Sequence, residues 1–205
     1  SRLLSAFSEK SSRDVTDYLN KRDVEILLNA RVLSYENDCL SLSDGTRIET
    51  KNVFWVAGVK ANSLQGLPPE VYGPGNRLRV DSYNRLYGHT NIFAIGDTAL
   101  MISTDFPKGH PQVVQPAIQQ ARRLVKNLRR MEEGLSLQPF VYHNKGSMAT
   151  VGRNHAVVEL KRLRFGGFLA WAVWLFIHLM SIVGVKNRLF IFADWMWSYF
   201  TYDPS

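Results

Sequence analysis

The sequence predicts an α/β fold that ends in an apolar, aromatic helical tail. Helical and strand-like patterns alternate over residues 14–160, as in α/β proteins. A hydrophobic content of 45 % is enough to bury a core and excludes a disordered chain. Residues 165–185 contain no Asp, Glu, Lys or Arg, which predicts a long apolar segment after the α/β part.

The N-terminal part predicts a short helix followed by strands. Residues 14–21 place their apolar side chains on one helical face, and Ser11 or Ser12 is the expected cap. Residues 24–28 and 31–35 are predicted as strands. A helix followed by a strand is typical of the back end of an α/β unit.

A hairpin and a buried strand are predicted next. Asp44-Gly45 lies between two alternating runs, which predicts a β-hairpin with positive φ at both turn positions. The apolar run 53–57 predicts a strand that is covered on both faces and ends at Gly58. Residues 67–75 are rich in Pro and Gly and predict a boundary between structural units.

Strands return after this boundary. Residues 78–80 and 91–95 are predicted as strands, and residues 140–160 as further strands with breaks at Gly146 and Gly152. The strand over 91–95 is followed at once by Gly and Asp, at the end of a sheet where open α/β folds bind ligands.

A long helix is predicted after His110-Pro111. It begins no earlier than about Val113, because Pro116 is tolerated only in a first turn, and Gly134 is the expected stop. One apolar face repeats at spacings of three and four, and it is formed by Ala117, Ala121, Leu124, Leu128 and Met131.

The charge is distributed unevenly. The net charge is +7, and the residues after Arg164 contain two basic and two acidic side chains, so the whole excess lies before residue 165. A basic front joined to an aromatic tail favours anionic lipid headgroups over nucleic acid as the partner. The single cysteine, Cys39, excludes a disulfide framework or a cysteine metal cluster, and we expect no catalytic nucleophile and no metal. The chain begins at Ser1 without a leader-like apolar run, so we expect a processed protein or a fragment.

Three interpretations of the apolar run compete: a transmembrane helix, a buried core helix, and a helix lying in the membrane interface. Its 21 residues reach the roughly 20 that a bilayer requires. Both flanks are basic, with Lys161, Arg162 and Arg164 before the run and Lys186 and Arg188 after it. A spanning helix more often has basic residues mainly on one side, so we favour two helices packed at the membrane surface. His178 is a lone histidine on an apolar face, and a structural hydrogen bond is its expected role.

Two short patterns carry the chemistry. Gly96 allows a close backbone approach to a ligand, and Asp97 can accept hydrogen bonds from a ribityl hydroxyl. Gln115 and Gln119 are four residues apart and project from one face near a helix start, where the dipole favours negative charge. Taken singly, the first pattern is also a common turn and the second a solvated helix face.

In this order and at this spacing, the patterns resemble those of flavoproteins with two dinucleotide-binding domains. The segment 54–59 (Phe-Trp-Val-Ala-Gly-Val) precedes the Gly96-Asp97 end and the glutamine helix, as in that superfamily. Within it, the chain resembles the type II NADH:quinone oxidoreductases. Their Ala-Gln-x-Ala-x-Gln motif is matched with Val114 in its first place, and residues 146–154 and the aromatic tail are also similar.

The resemblance implies a set of site residues. FAD would contact Gly96, Asp97, Val114, Gln115 and Ala117. A quinone would be bordered by Gln115, Ile118 and Gln119. The nicotinamide side would be closed by Ala57 and Gly58.

It also implies partial Rossmann-like domains and a membrane partner. Residues 1–66 would be the latter part of an NADH-binding domain, residues 67–160 the C-terminal part of an FAD-binding domain, and residues 161–205 a membrane anchor. The protein would act in a respiratory chain as a peripheral, monotopic enzyme on the inner face of the cytoplasmic membrane, with NADH as substrate and a homodimer as a possible assembly.

No Gly-x-Gly-x-x-Gly loop that could hold a pyrophosphate is present in the sequence. The family has two such loops and an acidic residue near the quinone, all of which would precede this region. We therefore expect weak or absent flavin binding and no activity from this chain alone. Two alternatives stay open: a non-catalytic membrane-binding or interaction module, and a soluble pyridine-nucleotide disulfide or ferredoxin reductase.

Overall fold

The computed structural model describes residues 2–201, so Tyr202 and Ser205, which belong to the predicted tail, lie outside the described residues. The described chain divides into two compact units. The first unit contains the residues up to Val53 together with those from Lys145 onward, and the second unit is Phe54–Asn144. These are units of packing, and the predicted domain boundaries after residues 66 and 160 stay predictions.

The described chain has a mixed α/β architecture, which confirms the predicted fold class. Its α-helices are α1 (Glu9–Asn20), α2 (Val114–Glu132), α3 (Gly167–Ser181) and α4 (Val185–Thr201). Its strands are β1 (Val32–Glu36), β2 (Cys39–Leu42), β3 (Arg47–Glu49), β4 (Tyr72–Gly73), β5 (Arg77–Val80), β6 (Ala99–Met101), β7 (Ser147–Gly152), β8 (His155–Glu159) and β9 (Arg164–Gly166). They form three small sheets in chain order, and only β5 and β6 pair in parallel among the described strands.

Helix α1 begins five residues earlier than predicted. The cap is Ser8, whose hydroxyl accepts a hydrogen bond from the Ser11 amide at 3.3 Å, so the prediction of Ser11 or Ser12 was wrong. Both of those serines are buried inside the helix, and the Ser11 hydroxyl donates instead to Glu159 of β8 at 2.5 Å. The Ser11 hydroxyl, which the sequence pattern assigned to helix capping, is therefore hydrogen-bonded to a residue far along the chain.

The hairpin between β2 and β3 is confirmed, but its turn differs from the prediction. Only Gly45 has a positive φ, +88°, and Asp44 does not. The Leu42 amide donates to the Thr46 carbonyl at 2.9 Å, and the Gly45 amide donates to the Leu42 carbonyl at 3.1 Å. These bonds describe a three-residue loop that ends in a glycine bulge.

Three predicted strands are not formed. Residues 24–28 and 53–57 are irregular, and the side chains of Phe54 and Val56 are 88 % and 90 % exposed. A strand is stable only as a member of a sheet, and no described strand lies beside either run. Residues 91–95 make only one isolated bridge, between Phe93 and Arg85.

The core of the second unit surrounds the parallel pair β5–β6. It consists of Val71, Leu78, Val80, Leu86, Ala94, Ala99, Met101 and Phe140. Helix α2 begins at Val114, within the predicted limit, although Pro116 is its third residue rather than its first. Its buried residues are Pro116, Gln120 and Asn127, so the helix packs by a largely polar face. Leu128 and Met131 of the predicted apolar face are 40 % and 45 % exposed.

In the first unit, α3 packs on the sheet β7–β8–β9. Ala156, Val158 and Ala170 are fully buried at this contact. The apolar run is divided into α3 and α4 near Gly184, which has a φ of +89°. Two tail helices were predicted, and the described part of the tail contains two. Within residues 2–201, no helix combines the length and the apolar character needed to cross a bilayer.

Candidate functional site

The turn at Gly96–Thr98 lies directly against the start of α2. Gly96 has a φ of +66°, a conformation that glycine adopts readily and other residues rarely. A Cβ added at Gly96 would lie 3.2 Å from the Cβ of Ala117. The close approach of turn and helix thus depends on the absence of a side chain at Gly96.

Side chains from outside the turn hold its backbone. The Gly96 amide donates to Oε1 of Gln120 at 2.7 Å, and Nε2 of Gln112 donates to the Asp97 carbonyl at 3.2 Å. The Asp97 carboxylate is exposed and accepts no hydrogen bond from another described residue. It is therefore available to a ligand hydroxyl.

Arg77 and His110 are buried behind the turn. The Arg77 guanidinium, 7 % exposed as a residue, donates to the carbonyls of Ala99 and His110. Burial lowers the pKa of Arg77, and the nearby Asp97 charge partly offsets that effect. Burial, and next the Arg77 charge, lowers the pKa of His110, whose ring packs against Phe106 at 4.9 Å. Both effects disfavour the protonated imidazolium beside the arginine.

The first turn of α2 has free backbone donors. Val113 occupies the cap position and makes no side-chain hydrogen bond to the helix. Val114 is 70 % exposed and Ile118 is 46 % exposed. The amides of this turn and the positive end of the helix dipole can therefore stabilise negative charge on a bound group.

The two motif glutamines differ in their surroundings. The side chain of Gln119 makes two hydrogen bonds with the backbone of His143, donating to its carbonyl and accepting from its amide, both at 3.0 Å. Gln115 is half-buried and makes no hydrogen bond to another described residue. Gln115 is thus the glutamine whose amide is open to a ligand.

Of the predicted site residues, the structure brings Gly96 and Ala117 into contact and places Asp97 next to them. Val114, Gln115, Ile118 and Gln119 follow on the same helix. Ala57 and Gly58 lie in an exposed, irregular segment, and no hydrogen bond between described residues joins them to the turn. The sequence interpretation missed Arg77, Gln112 and Gln120, because each bonds to backbone groups that carry no mark in a sequence.

The first unit contains an apolar cleft between α3 and α4. Its volume is about 780 Å³, and it is lined mainly by aromatic and aliphatic side chains, among them Trp171, Leu175, Phe192 and Trp195. The ring of His178 stacks on Trp174, and its Nδ1 lies 2.7 Å from the Trp174 carbonyl, a structural role. No group of three or more His, Cys, Asp or Glu side chains among residues 2–201 could hold a metal ion.

Comparison with known proteins identifies two segments. The family described as pyridine nucleotide-disulphide oxidoreductase matches residues 1–121, and the NDH2 C-terminal domain matches residues 144–201. The structure of NDH2 from Plasmodium falciparum in complex with NADH superposes with a TM-score of 0.83 at 16 % identity, covering 98 % of this chain and 56 % of that one. A sulfide:quinone oxidoreductase from Aquifex aeolicus has the same fold, with a TM-score of 0.66 at 16 % identity over 94 % of this chain and 49 % of that one.

Curated proteins with similar sequences support the same family. The type II NADH:quinone oxidoreductase NdhA of Mycobacterium tuberculosis is 37 % identical over 190 residues, covering 86 % of this chain and 39 % of the relative. An internal alternative NAD(P)H-ubiquinone oxidoreductase of Arabidopsis thaliana is 28 % identical over 214 residues, covering 95 % and 41 %. The chain therefore spans about two fifths of the length of these relatives. It belongs to the pyridine nucleotide-disulphide oxidoreductase family, and within that family it matches the C-terminal part of the type II NADH:quinone oxidoreductases.

Proposed function

We propose that this chain is the C-terminal part of a membrane-associated, FAD-dependent NADH:quinone oxidoreductase and is not complete on its own. The carrying observation is the contact between the Gly96–Thr98 turn and Ala117, the middle of the glutamine motif. In this proposal residues 1–66 belong to an NADH-binding domain, 67–160 to an FAD-binding domain, and 161–205 to the membrane anchor.

The residues fit the flavin end of FAD. Asp97 offers an exposed carboxylate to the ribityl hydroxyls, and Gly96 leaves room for a close backbone approach. Val114, Gln115 and Ala117 belong to the first helical turn, whose free amides suit a ring that carries negative charge. Bound FAD would supply the two-electron chemistry that takes a hydride from NADH and reduces a quinone.

The protein's own contribution is positioning and electrostatics. Gln115 can bind a quinone carbonyl because its side-chain amide has no hydrogen bond to another described residue. Ile118 offers an exposed apolar contact to the quinone. Gln119 borders the same face but is already bonded to His143. We assign quinone binding to Gln115 and Ile118, with Gln119 shaping the edge of the pocket. Ala57 and Gly58 are assigned to the nicotinamide side.

The tail is proposed to hold the enzyme on the inner face of the cytoplasmic membrane. Exposed side chains of α3 and α4 include Phe168, Leu169, Phe190 and Trp197, each more than 60 % exposed. Exposed apolar side chains grouped on two helices are unusual on a surface that faces water, and they suit the acyl boundary of a bilayer.

The test uses the full-length enzyme with Gln115→Ala and Gln119→Ala. Stopped-flow absorbance separates reduction of the flavin by NADH from its reoxidation by quinone. We expect both changes to slow reoxidation by about tenfold or more while flavin reduction changes little. Gln65→Ala, at an exposed position before β4, is the matched control. Equal losses in both half-reactions would contradict the assignment.

A further inference from the structure

Gln120 is the least exposed polar residue at the interface between α2 and the turn. It is 1 % exposed, and its Oε1 lies 2.7 Å from the Gly96 amide. A buried amide group is unfavourable unless it is hydrogen-bonded, so this contact constrains both partners strongly. The family motif that the chain matches ends at Gln119, and the sequence interpretation assigned no role to Gln120.

The contact fixes the backbone just before Asp97. The Gly96 amide belongs to the peptide plane between Ile95 and Gly96, so its hydrogen bond to Gln120 fixes the plane that enters the turn, one residue before Asp97. The peptide plane that follows Asp97 is also held, because Nε2 of Gln112 donates to the Asp97 carbonyl. Glutamines thus hold the backbone on both sides of Asp97, while its own carboxylate stays exposed.

We propose that Gln120 is a positioning residue for cofactor binding: its hydrogen bond to the Gly96 amide sets the direction in which Asp97 presents its carboxylate to a polyol hydroxyl. This inference rests on the proposed function, in which that polyol is the ribityl chain of FAD. Gln112 has the same role from the loop before α2, through a longer bond at a more exposed position.

Asn127 provides a matched control on the same helix. It is also 1 % exposed, and its side chain also clamps a backbone, donating to the Gln138 carbonyl at 2.9 Å and accepting from the Gln138 amide at 3.0 Å. The residue lies seven positions further along α2, away from the turn. Removing either clamp should lower stability, but only the loss of Gln120 should disturb Asp97.

The experiment compares Gln120→Met with Asn127→Leu in the full-length enzyme. FAD is titrated into the apoenzyme by flavin fluorescence, and exchange of the Gly96 amide is followed by mass spectrometry. We expect Gln120→Met to raise the FAD dissociation constant and the Gly96 exchange rate by about tenfold each. Asn127→Leu should change the FAD dissociation constant by less than about twofold. Gln120→Glu, which keeps the acceptor, should restore most of the affinity.

Each outcome decides between these roles. Equal weakening of FAD binding by Gln120→Met and Asn127→Leu, or unchanged Gly96 exchange in Gln120→Met, overturns the proposal. If Gln120→Met does not fold, Gln112→Met removes the second bond from a position near the surface, and an unchanged FAD dissociation constant then overturns it. Asp97→Ala tests the underlying assignment separately. Unchanged FAD affinity there refutes the role of Asp97 and with it the positioning role, even if the Gly96 amide still responds to Gln120.

Discussion

The backbone conformation of Gly96 and its close contact with Ala117 together require a glycine at this position. Its φ of +66° disfavours any side chain, and an added Cβ would lie 3.2 Å from that of Ala117. We expect Gly96→Ala to lower the free energy of unfolding by about 2 kcal/mol, of which about 1 kcal/mol reflects the backbone conformation. Denaturant unfolding measures the loss.

Gly88 offers the control for this change. It has a φ of +80°, and a Cβ built there would meet nothing within 4 Å. Gly88→Ala should therefore show the conformational penalty alone. Equal losses for the two variants would show that the packing of the turn on α2 contributes nothing.

Residues whose side chains indicate a particular chemistry could be predicted from the sequence. Residues that act through hydrogen bonds to backbone groups could not. Gly96, Asp97 and Gln115 were predicted as site residues because glycine, carboxylate and amide groups at that spacing indicate cofactor chemistry. Gln120 and Arg77 were given no role, since a glutamine in a polar helix and an arginine in a strand look like surface residues until their burial is known.

At the scale of elements, a carboxylate of the C-terminal sheet holds the start of α1, in addition to the ion pair between Arg164 and Asp14 and the stacking of Tyr18 on His155. Glu159 of β8 accepts hydrogen bonds from the Ser8 amide and from the hydroxyls of Ser8 and Ser11, and Arg164 lies nearby. Burial by itself would raise the pKa of Glu159, but these hydrogen bonds and the arginine charge hold it below its ordinary value. The ionised form is thus the one that docks α1.

The pH dependence follows from this lowered pKa. The stabilisation is fully present above the unfolded value of about 4.3 and is lost as pH falls through the lower folded pKa. We expect the protection of the α1 amides, which is their exchange rate relative to the intrinsic rate at the same pH, to fall in that acidic range. In Glu159→Gln, exchange should already be faster at neutral pH and should lack the acid step.

A carboxylate on α1 itself provides the comparison. Glu9 pairs with Arg13, and both side chains are 76 % exposed. Exposed pairs contribute little, so Glu9→Gln should leave the exchange of α1 almost unchanged. Equal acceleration in the two variants would mean that general helix electrostatics, rather than docking, controls α1.

Elements that depend on local signals were predicted well, and elements that depend on distant partners were not. Helix α2, the hairpin of β2 and β3 and the division of the tail follow from periodicity, Asp-Gly and flanking charge. The runs 24–28 and 53–57 have the apolar composition of strands, but strand formation requires a neighbouring strand, which no described residue provides.

At the scale of the whole molecule, the chain should hold FAD weakly or not at all by itself. It offers contacts to the flavin end, whereas a glycine-rich loop for the pyrophosphate is absent from its sequence. Absorbance near the flavin bands of the purified chain measures bound cofactor. A stoichiometric flavin band would refute this expectation, and the full-length enzyme is the positive control.

The tail is expected to bind the membrane surface without crossing it. Each basic residue at the two ends would contribute about 1 kcal/mol to the free energy of binding to an anionic leaflet. Salt should weaken this electrostatic contribution but not the contribution of the buried apolar side chains. Sedimentation with anionic vesicles at rising ionic strength measures both parts, and deletion of residues 165–205 should abolish binding.

Topology can be read directly with thiol labelling. Cysteines placed at Ser147 and Ser205, in a chain whose Cys39 is replaced, should react with an impermeant reagent from the same side of sealed vesicles. Labelling from opposite sides would show that the tail spans the bilayer.

The contact between Ser8 and Glu159 also has a consequence for the order of synthesis. The two residues are 151 positions apart, so the cap of the first helix leaves the ribosome long before its partner. At about 5–20 residues per second the interval is roughly 8–30 s. The second unit, Phe54–Asn144, is synthesised entirely within it. Nascent α1 therefore cannot dock on Glu159 while the second unit is being synthesised. We expect a ribosome stall before residue 159 to leave residues 9–20 open to proteases.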